Sequence, residues 1–428
     1  MINLIDEELL QALAEELGTP FYLIDERTML KNLRRLREAF SGFKGSVEIA
    51  YSVKANFNPL VIKAFEAQGT MFDVASEEEL FFLNKAGASA SKVVYSSVSE
   101  TSREFEYALE SGVKLISLGS EMGFYRLEEL IKRKEAEQEV LIRVNPGVEP
   151  KARIPASGSW SKFGFPLAGS SEHLARDIMR KAGKSQFLKP VGVHFHLGSQ
   201  VLDPIWFSKA LDLVLEFLSW TIEGPGFEIE VIDVGGGYPV KYVEDVPSLE
   251  EFSSLITEKI NDWAIKEGIE PILIVESGRY LMASAGTLVA SVVNLKIAGE
   301  GQLAILDAGY NLLLDAVLLN QSYPVRVIGK GETKALTEVK LAGNLCDSFD
   351  VLIPPGGRGR GIRIKLPTLE IGDLVAFEMA GAYTNVFNLP FNCKTKPPII
   401  FRDSEGKLVM ARAREDIEDL YKEESPRS

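Results

Sequence analysis

The sequence predicts an α/β protein, a (β/α)8 barrel followed by a second, mostly β domain. Three observations lead there. From about residue 47, short β-branched apolar runs alternate with longer segments of helical period. The runs before the 283rd residue number eight, the count that closes a barrel. Beyond that point strands separated by glycine-rich turns replace the alternation. A chain of 428 residues also exceeds one ordinary core and suits a domain of about 250 residues with a smaller companion.

Taken in order, Asp6 to Glu16 has the apolar spacing of a helix and Phe21 to Ile24 reads as a strand. Together they form an N-terminal segment (1–26) expected to pack with the β domain. The barrel (27–282) draws its strands from Val47 to Val53, Phe72 to Ala75, Val93 to Ser97, Leu115 to Leu118, Val140 to Val144, Val191 to Leu197, Ile229 to Val234 and Leu273 to Glu276. Amphipathic stretches such as Glu77 to Ala86 and Ser102 to Ser111 lie between them and close on Gly87 and Gly112, as helix ends often do. The β domain (283–415) is read from Leu288 to Ile297, Leu303 to Leu306, Pro324 to Val327 and Leu374 to Phe377. Residues 416–428 form a tail, frayed from Glu423 to Ser428.

Composition narrows the function classes. With 46% hydrophobic and 25% charged residues the chain is of the soluble globular type. A net charge of −14 argues against nucleic acid and against an anionic membrane surface, so the short basic stretch Arg358 to Lys365 reads as a solvated loop. No apolar run approaches the roughly 18 residues of a membrane span and no basic segment leads into an apolar one at the N-terminus, which points to the cytoplasm. Two cysteines, Cys346 and Cys393, make neither a disulfide framework nor a metal motif. Of the histidines His173, His194 and His196, the last two are two apart and lack a carboxylate cluster nearby in sequence, so no metal is expected.

In a parallel barrel the βα loops meet at the carboxyl ends of the strands, and reactive residues gather at those ends here. Lys54 follows the first run, His196 and Ser199 the sixth, Gly235-Gly236-Gly237 the seventh, and Glu276 to Arg279 the eighth. Three glycines opening a helix would let backbone N–H groups approach a phosphate; a flexible turn or a nucleotide site are the competing readings, although no P-loop pattern occurs. A strand-end lysine either snorkels to solvent or, held in an apolar mouth, loses its proton and condenses with an aldehyde.

These residues sit in motifs that together resemble the fold-type III pyridoxal-phosphate (PLP) decarboxylases, the group of diaminopimelate and ornithine decarboxylases, from Thr19-Pro20-Phe21-Tyr22 to Asn392. They are Tyr51-Ser52-Val53-Lys54-Ala55-Asn56, Asp73-Val74-Ala75-Ser76, His194-Phe195-His196-Leu197-Gly198-Ser199-Gln200, Gly235-Gly236-Gly237-Tyr238, Glu276-Ser277-Gly278-Arg279, Cys346-Asp347 and Gly381-Ala382-Tyr383. The resemblance implies an alanine-racemase-like barrel with PLP on Lys54, His196 stacked on its ring, and Glu276 facing the pyridine nitrogen to keep it protonated. It implies that Ser199, Gly236, Gly237, Arg279 and Tyr383 hold the phosphate, with Asp73, Gly235 and Gly278 completing the cofactor site. The family usually has proline where Ser277 stands; the two charged members of that motif are kept. Cys346 is similar to the family cysteine that enters the neighbouring subunit's site and helps protonate the product, which implies a homodimer with shared sites. Lys54, Cys346, Glu276 and His196 are thus the expected catalytic residues.

The substrate end departs from diaminopimelate decarboxylases. Asp315 stands where they place an arginine, Leu319 where they place a tyrosine, and Asp347 follows the cysteine where they have glutamate. An arginine fork suits a distal carboxylate and two aspartates suit an ammonium, unless Asp315 is a solvated loop carboxylate. The expected substrate, bound also by Arg279 and Tyr383, is therefore a diamino acid such as ornithine or lysine, L or D. The setting is a specialised pathway such as siderophore, polyamine or antibiotic synthesis. The alternative is diaminopimelate decarboxylase of lysine biosynthesis. Glu276 argues against a racemase, whose ring nitrogen usually meets an arginine. Lys54, the glycine triplet, Arg279 and Tyr383 together argue against a non-catalytic homologue.

Overall fold

The eight runs become eight parallel strands: β1 Val47–Ser52, β2 Met71–Val74, β3 Val93–Tyr95, β4 Leu115–Leu118, β5 Gln138–Asn145, β6 Leu188–His194, β7 Val231–Asp233 and β8 Ile272–Ser277. Each pairs with the next, and β8 pairs with β1 to close the barrel. This computed structural model describes residues 5–224, 227–299, 301–331, 336–353 and 361–424. Two units emerge: the barrel unit is Asn32–Val240 with Val246–Tyr280, and the other comprises the residues through Lys31, Lys241–Asp245, and Leu281 onward. Among the described residues no helix is long and apolar enough to cross a membrane.

Alternation along the strands builds the barrel interior in layers. Ala50, Val94, Leu115, Leu141, Val191, Val231 and Ile274 form one apolar cluster, with Met71 packed against it. Just beyond this layer, toward the carboxyl ends, each strand or the residue following it is polar or charged, two residues on in seven of the strands and three residues on in β6, where the pairing with β5 shifts register. These are Ser52, Asp73, Ser96, Ser117, Arg143, His194, Asp233 and Glu276, and all are buried. A polar ring therefore lies on an apolar floor. Outside, the helices pack by their apolar faces; Ser76, Thr101, Ser120 and Ser248 accept N–H groups at the starts of their helices, and Thr101 and Ser248 do so in full capping boxes.

The other unit is built on the thirteen-residue strand Gly286–Ala298, which pairs antiparallel with Phe21–Asp25, Gly301–Leu306 and Leu374–Phe377. The N-terminal helix Glu7–Leu17, capped by Asp6, buries Leu10 and Leu13 against Phe21, Leu23, Val289, Ala376 and Ile400. Four strands escape sequence reading: Leu336–Ala342, Ile364–Pro367, Ile399–Arg402 and Leu408–Arg412. Three of them are half-exposed and carry long charged side chains, so their apolar alternation is diluted. One of these corrects the reading of Arg358 to Lys365 as a solvated loop: Ile364 and Lys365 pair with Val339 and Glu338, and 358–360 lie outside the described residues. The fraying expected from Glu423 is also corrected, because the helix Ile417–Glu424 includes Glu423 and Glu424; the rest of the tail lies outside the described residues.

Candidate active site

The barrel mouth is assembled from short, tightly held loops. After β1 the chain makes a single 3-10 turn, Val53–Ala55, braced by the Tyr51 hydroxyl donating to the Asn56 carbonyl at 2.8 Å, and then enters a helix capped by Asn58. Lys54 stands on that turn and its ammonium pairs with the buried Asp73 carboxylate at the end of β2. Burial pushes the Asp73 pKa up, but the Lys54 charge and hydrogen bonds from Lys54 and Ser52 outweigh it and hold the carboxyl below its usual value. The lysine is therefore not in the apolar surroundings expected from the sequence: its counter-ion comes from the next strand.

His196 follows β6. Its Nδ1 accepts the Gly236 N–H at 3.1 Å and lies 4.0 Å from Glu276 Oε2. Burial, then Arg143 and Lys54, push its pKa down to about 3, so the ring is neutral. Glu276, at the end of β8, is buried, and its Oε1 has no hydrogen-bond partner. Burial, then the neighbouring Asp73 charge, raise its pKa to about 8. Beside it, Arg279 opens a short helix after Gly278, and its Nε donates to Ser199 Oγ at 3.1 Å.

The glycine triplet corrects the sequence reading. It opens no helix; the next one, Leu249–Glu267, starts twelve residues beyond Gly237 with its own cap at Ser248. Gly235 and Gly237 have positive φ (63° and 103°). A Cβ on Gly236 would meet the Glu276 carbonyl at 2.3 Å and one on Gly237 the Gly198 carbonyl at 2.0 Å. The Gly235 N–H donates to Asp233 and the Gly236 N–H to His196. Close packing of three loops, not a helix dipole, demands these glycines. A second correction concerns His194: folding brings it together with Asp233 and Glu276, one ligand atom of each lying within 4.8 Å of the others.

Several barrel residues escape sequence reading, Glu79 and Arg143 among them. Glu79 resembles an ordinary helix-start glutamate, yet its Oε2 accepts the Ala75 N–H at 2.8 Å and it feels the Lys54 charge. Arg143 donates to Ser96 Oγ at 2.9 Å and lies over the Phe163 ring, 4.6 Å from its centroid. The signal for Arg143 was available: a charged residue at an inward position of a strand.

The remaining expected residues belong to the second unit. Cys346 is exposed, and its N–H donates to Asn392 Oδ1 at 2.7 Å. The neighbouring Asp347 accepts the Tyr310 hydroxyl at 3.1 Å and the Phe349 N–H at 2.8 Å. Asp350, missed in the sequence, organises this turn by accepting the N–H groups of Tyr310 and Leu345. Asp315 is no solvated loop carboxylate: it is buried on the short helix Leu314–Leu318. Tyr383 holds a positive φ of 56° just past Gly381.

The barrel residues fit PLP. The mouth offers an amine to take the aldehyde, a neutral imidazole to lie against a ring, a serine and an arginine for an anion, and a buried carboxyl with an unpartnered oxygen to meet a ring nitrogen. Comparison with known proteins agrees. The family model described as "Pyridoxal-dependent decarboxylase, pyridoxal binding domain" matches residues 26–283. The diaminopimelate decarboxylase of Methanothermobacter thermautotrophicus is 32% identical over 416 residues, 96% of this chain and 92% of the relative. That of Bacillus subtilis is 30% identical over 423 residues, 97% and 93%. The crystal structure of Helicobacter pylori diaminopimelate decarboxylase complexed with L-lysine superposes with a TM-score of 0.86 at 29% identity, over 97% of this chain and 99% of that one. The chain thus belongs to the fold-type III PLP-dependent decarboxylases, the carboxy-lyases that include the diaminopimelate and ornithine decarboxylases.

Proposed function

We propose that this decarboxylase acts on meso-diaminopimelate, yielding lysine and carbon dioxide. The observation that carries the reading is similarity along nearly the whole chain to curated diaminopimelate decarboxylases, not to the barrel segment alone. This reverses the preference drawn from the substrate-end residues. A second reading, a diamino acid without a distal carboxylate such as ornithine or lysine in a specialised pathway, is favoured by one observation. Asp347 is held by Tyr310, and neither Asp315 nor Leu319 offers the arginine and tyrosine expected opposite a carboxylate.

PLP, when bound, supplies an electron sink for the carbanion left as carbon dioxide departs. The chain's own residues do the rest. Lys54 would hold the cofactor through Nζ and would move a proton at the substrate Cα when free; Asp73 pairs with the Lys54 amine and holds it in place. Glu276 would present a carboxyl to the ring nitrogen, and His196 would lie against the ring. Ser199, Arg279 and the Gly235 to Gly237 turn would hold the phosphate. Cys346 Sγ is the second proton donor in this reading, supplied across a homodimer.

The test is product mass after incubating PLP-loaded protein with meso-diaminopimelate and, separately, with each enantiomer of ornithine and lysine. Lysine from diaminopimelate supports the first reading. Putrescine or cadaverine without diaminopimelate turnover overturns it in favour of the second.

A further inference from the structure

Within the polar ring, His194 is wedged between two polar partners. Its Nδ1 lies 2.8 Å from Ser117 Oγ, and its Nε2 faces Glu276 Oε1 at 3.5 Å. Nε2, Oε1 and the nearby Asp233 Oδ2 are all buried without a hydrogen-bond partner. Native interiors rarely leave such atoms unsatisfied, so a cluster of three marks a place where a proton or a small adjustment completes the bonding. Glu276 has two distinct ends here: Oε2 is directed toward His196 at the mouth and Oε1 toward His194 within the ring.

A neutral imidazole has one donor and one acceptor, and a serine hydroxyl can play either part. Two arrangements then satisfy the row. With Glu276 neutral, its carboxyl O–H donates a hydrogen bond to Nε2, which accepts, and the Nδ1–H donates to Ser117 Oγ. With Glu276 ionised, the Nε2–H donates to Oε1 and the Ser117 hydroxyl donates to Nδ1. The imidazole stays neutral in both, because burial, then the charge of Arg143, disfavour its second proton. The other groups facing Glu276 and its neighbours are Asp73, Asp233 and Tyr238.

We propose that His194 is a positioning residue whose tautomer follows the ionisation of Glu276, so that one carboxyl can be neutral in the empty barrel and anionic opposite the cofactor's ring nitrogen. The balance is simple. One proton passes from Glu276 to that ring nitrogen, and the imidazole keeps its single proton, moved from Nδ1 to Nε2. No other group changes charge. This rests on the assignment of Glu276 to the ring nitrogen, but its primary test does not depend on turnover.

The chain has only three histidines, so imidazole nitrogen NMR of histidine-labelled protein can resolve His194. In the cofactor-free protein near neutral pH the expected state is Nδ1–H; adding PLP shifts it to Nε2–H. Ser117→Ala should leave a mixture of tautomers in both states. In the loaded enzyme, His194→Phe should lower kcat by about 10- to 100-fold, the equilibrium equivalent of one charge-assisted hydrogen bond, with KM and PLP affinity near the parent values. His194→Gln, which keeps a donor, should recover part of that loss. An unchanged tautomer on adding PLP, a charged imidazolium, or parental kcat in a folded His194→Phe protein overturns the proposal. Absence of decarboxylation in the parent with every diamino acid offered would instead overturn the substrate reading and leave the nitrogen spectra to decide this one.

Discussion

Glu276→Gln should change how barrel stability depends on pH in the cofactor-free protein. A carboxyl whose folded pKa is raised binds more protons folded than unfolded across the interval between the two values. Stability is then highest below the unfolded pKa and falls as pH rises toward the folded one. For Glu276 the interval runs from 4.5 to about 8. At about 1.36 kcal/mol per unit, that is a loss of about 5 kcal/mol between those pH values. Glutamine cannot ionise and removes this slope; Asp233, also raised by burial and by Glu276, keeps one of its own. The quantity to compare is therefore the parent slope minus the variant slope. All four tryptophans, Trp160, Trp206, Trp220 and Trp263, lie in the barrel unit, so urea unfolding followed by tryptophan fluorescence reads the barrel selectively. The expected result is a variant that gains stability on the parent by a few kcal/mol between pH 5 and pH 8. Parallel stability curves, or a variant that loses stability relative to the parent as pH rises, would refute the idea that Glu276 is kept neutral by its surroundings.

Lys54→Met should abolish the visible absorbance of lysine-linked cofactor and leave Asp73 buried without its ion partner. Because the Asp73 pKa is depressed in the fold, the stabilisation it supplies is present above its unfolded value and lost as pH falls through the folded one. The variant's deficit in urea should thus shrink toward acid pH, and a pH-independent deficit would contradict this. Gly236→Ala drives a Cβ to 2.3 Å from the Glu276 carbonyl, which is backbone and cannot swing away; a cost of about 1–3 kcal/mol and weakened PLP binding by absorbance titration are expected. In the second unit, Arg326→Met strands the buried Glu378, which now shares Arg326 with Glu7, and should cost about 3–5 kcal/mol. Faster hydrogen exchange in the helix Glu7–Leu17 is its readout, and unchanged exchange would show that the network does not hold that helix.

The barrel was legible because its strands are short, apolar and evenly punctuated: each of the eight expected runs overlaps an observed strand. The second unit was half legible. Its central strands carry long apolar runs such as Leu288 to Ala290 and Leu303 to Leu306, whereas Leu336–Ala342 and Leu408–Arg412 mix apolar residues with solvent-facing charge and do not announce themselves. In the candidate site, Lys54, Asp73, His196 and Glu276 were visible through motifs. Ser96, Ser117, Arg143 and Asp233 were not: Ser117 and Asp233 are single polar residues in apolar strands, Arg143 stands between Ile142 and Val144, and Ser96 lies just past its strand. Only the inference that all eight strands place the same step of their alternation at one height would have exposed them. The glycine triplet was misread for the opposite reason: its spacing suggested a phosphate-binding helix start, but backbone crowding from Gly198 and Glu276 is a long-range demand that no local pattern carries.

The sheet of the second unit joins the two ends of the chain, Tyr22 pairing with Ile399. A ribosome making about 5–20 residues per second delivers these two partners roughly 20 to 75 s apart. The barrel's last strand is complete long before then. Until Gly286–Ala298 is made the strand Phe21–Asp25, buried at every position in the finished protein, waits with both edges open, and the edge that pairs with Ile399–Arg402 stays open to the end of the interval. Its exposure during synthesis makes it the segment of this chain with most to gain from a chaperone.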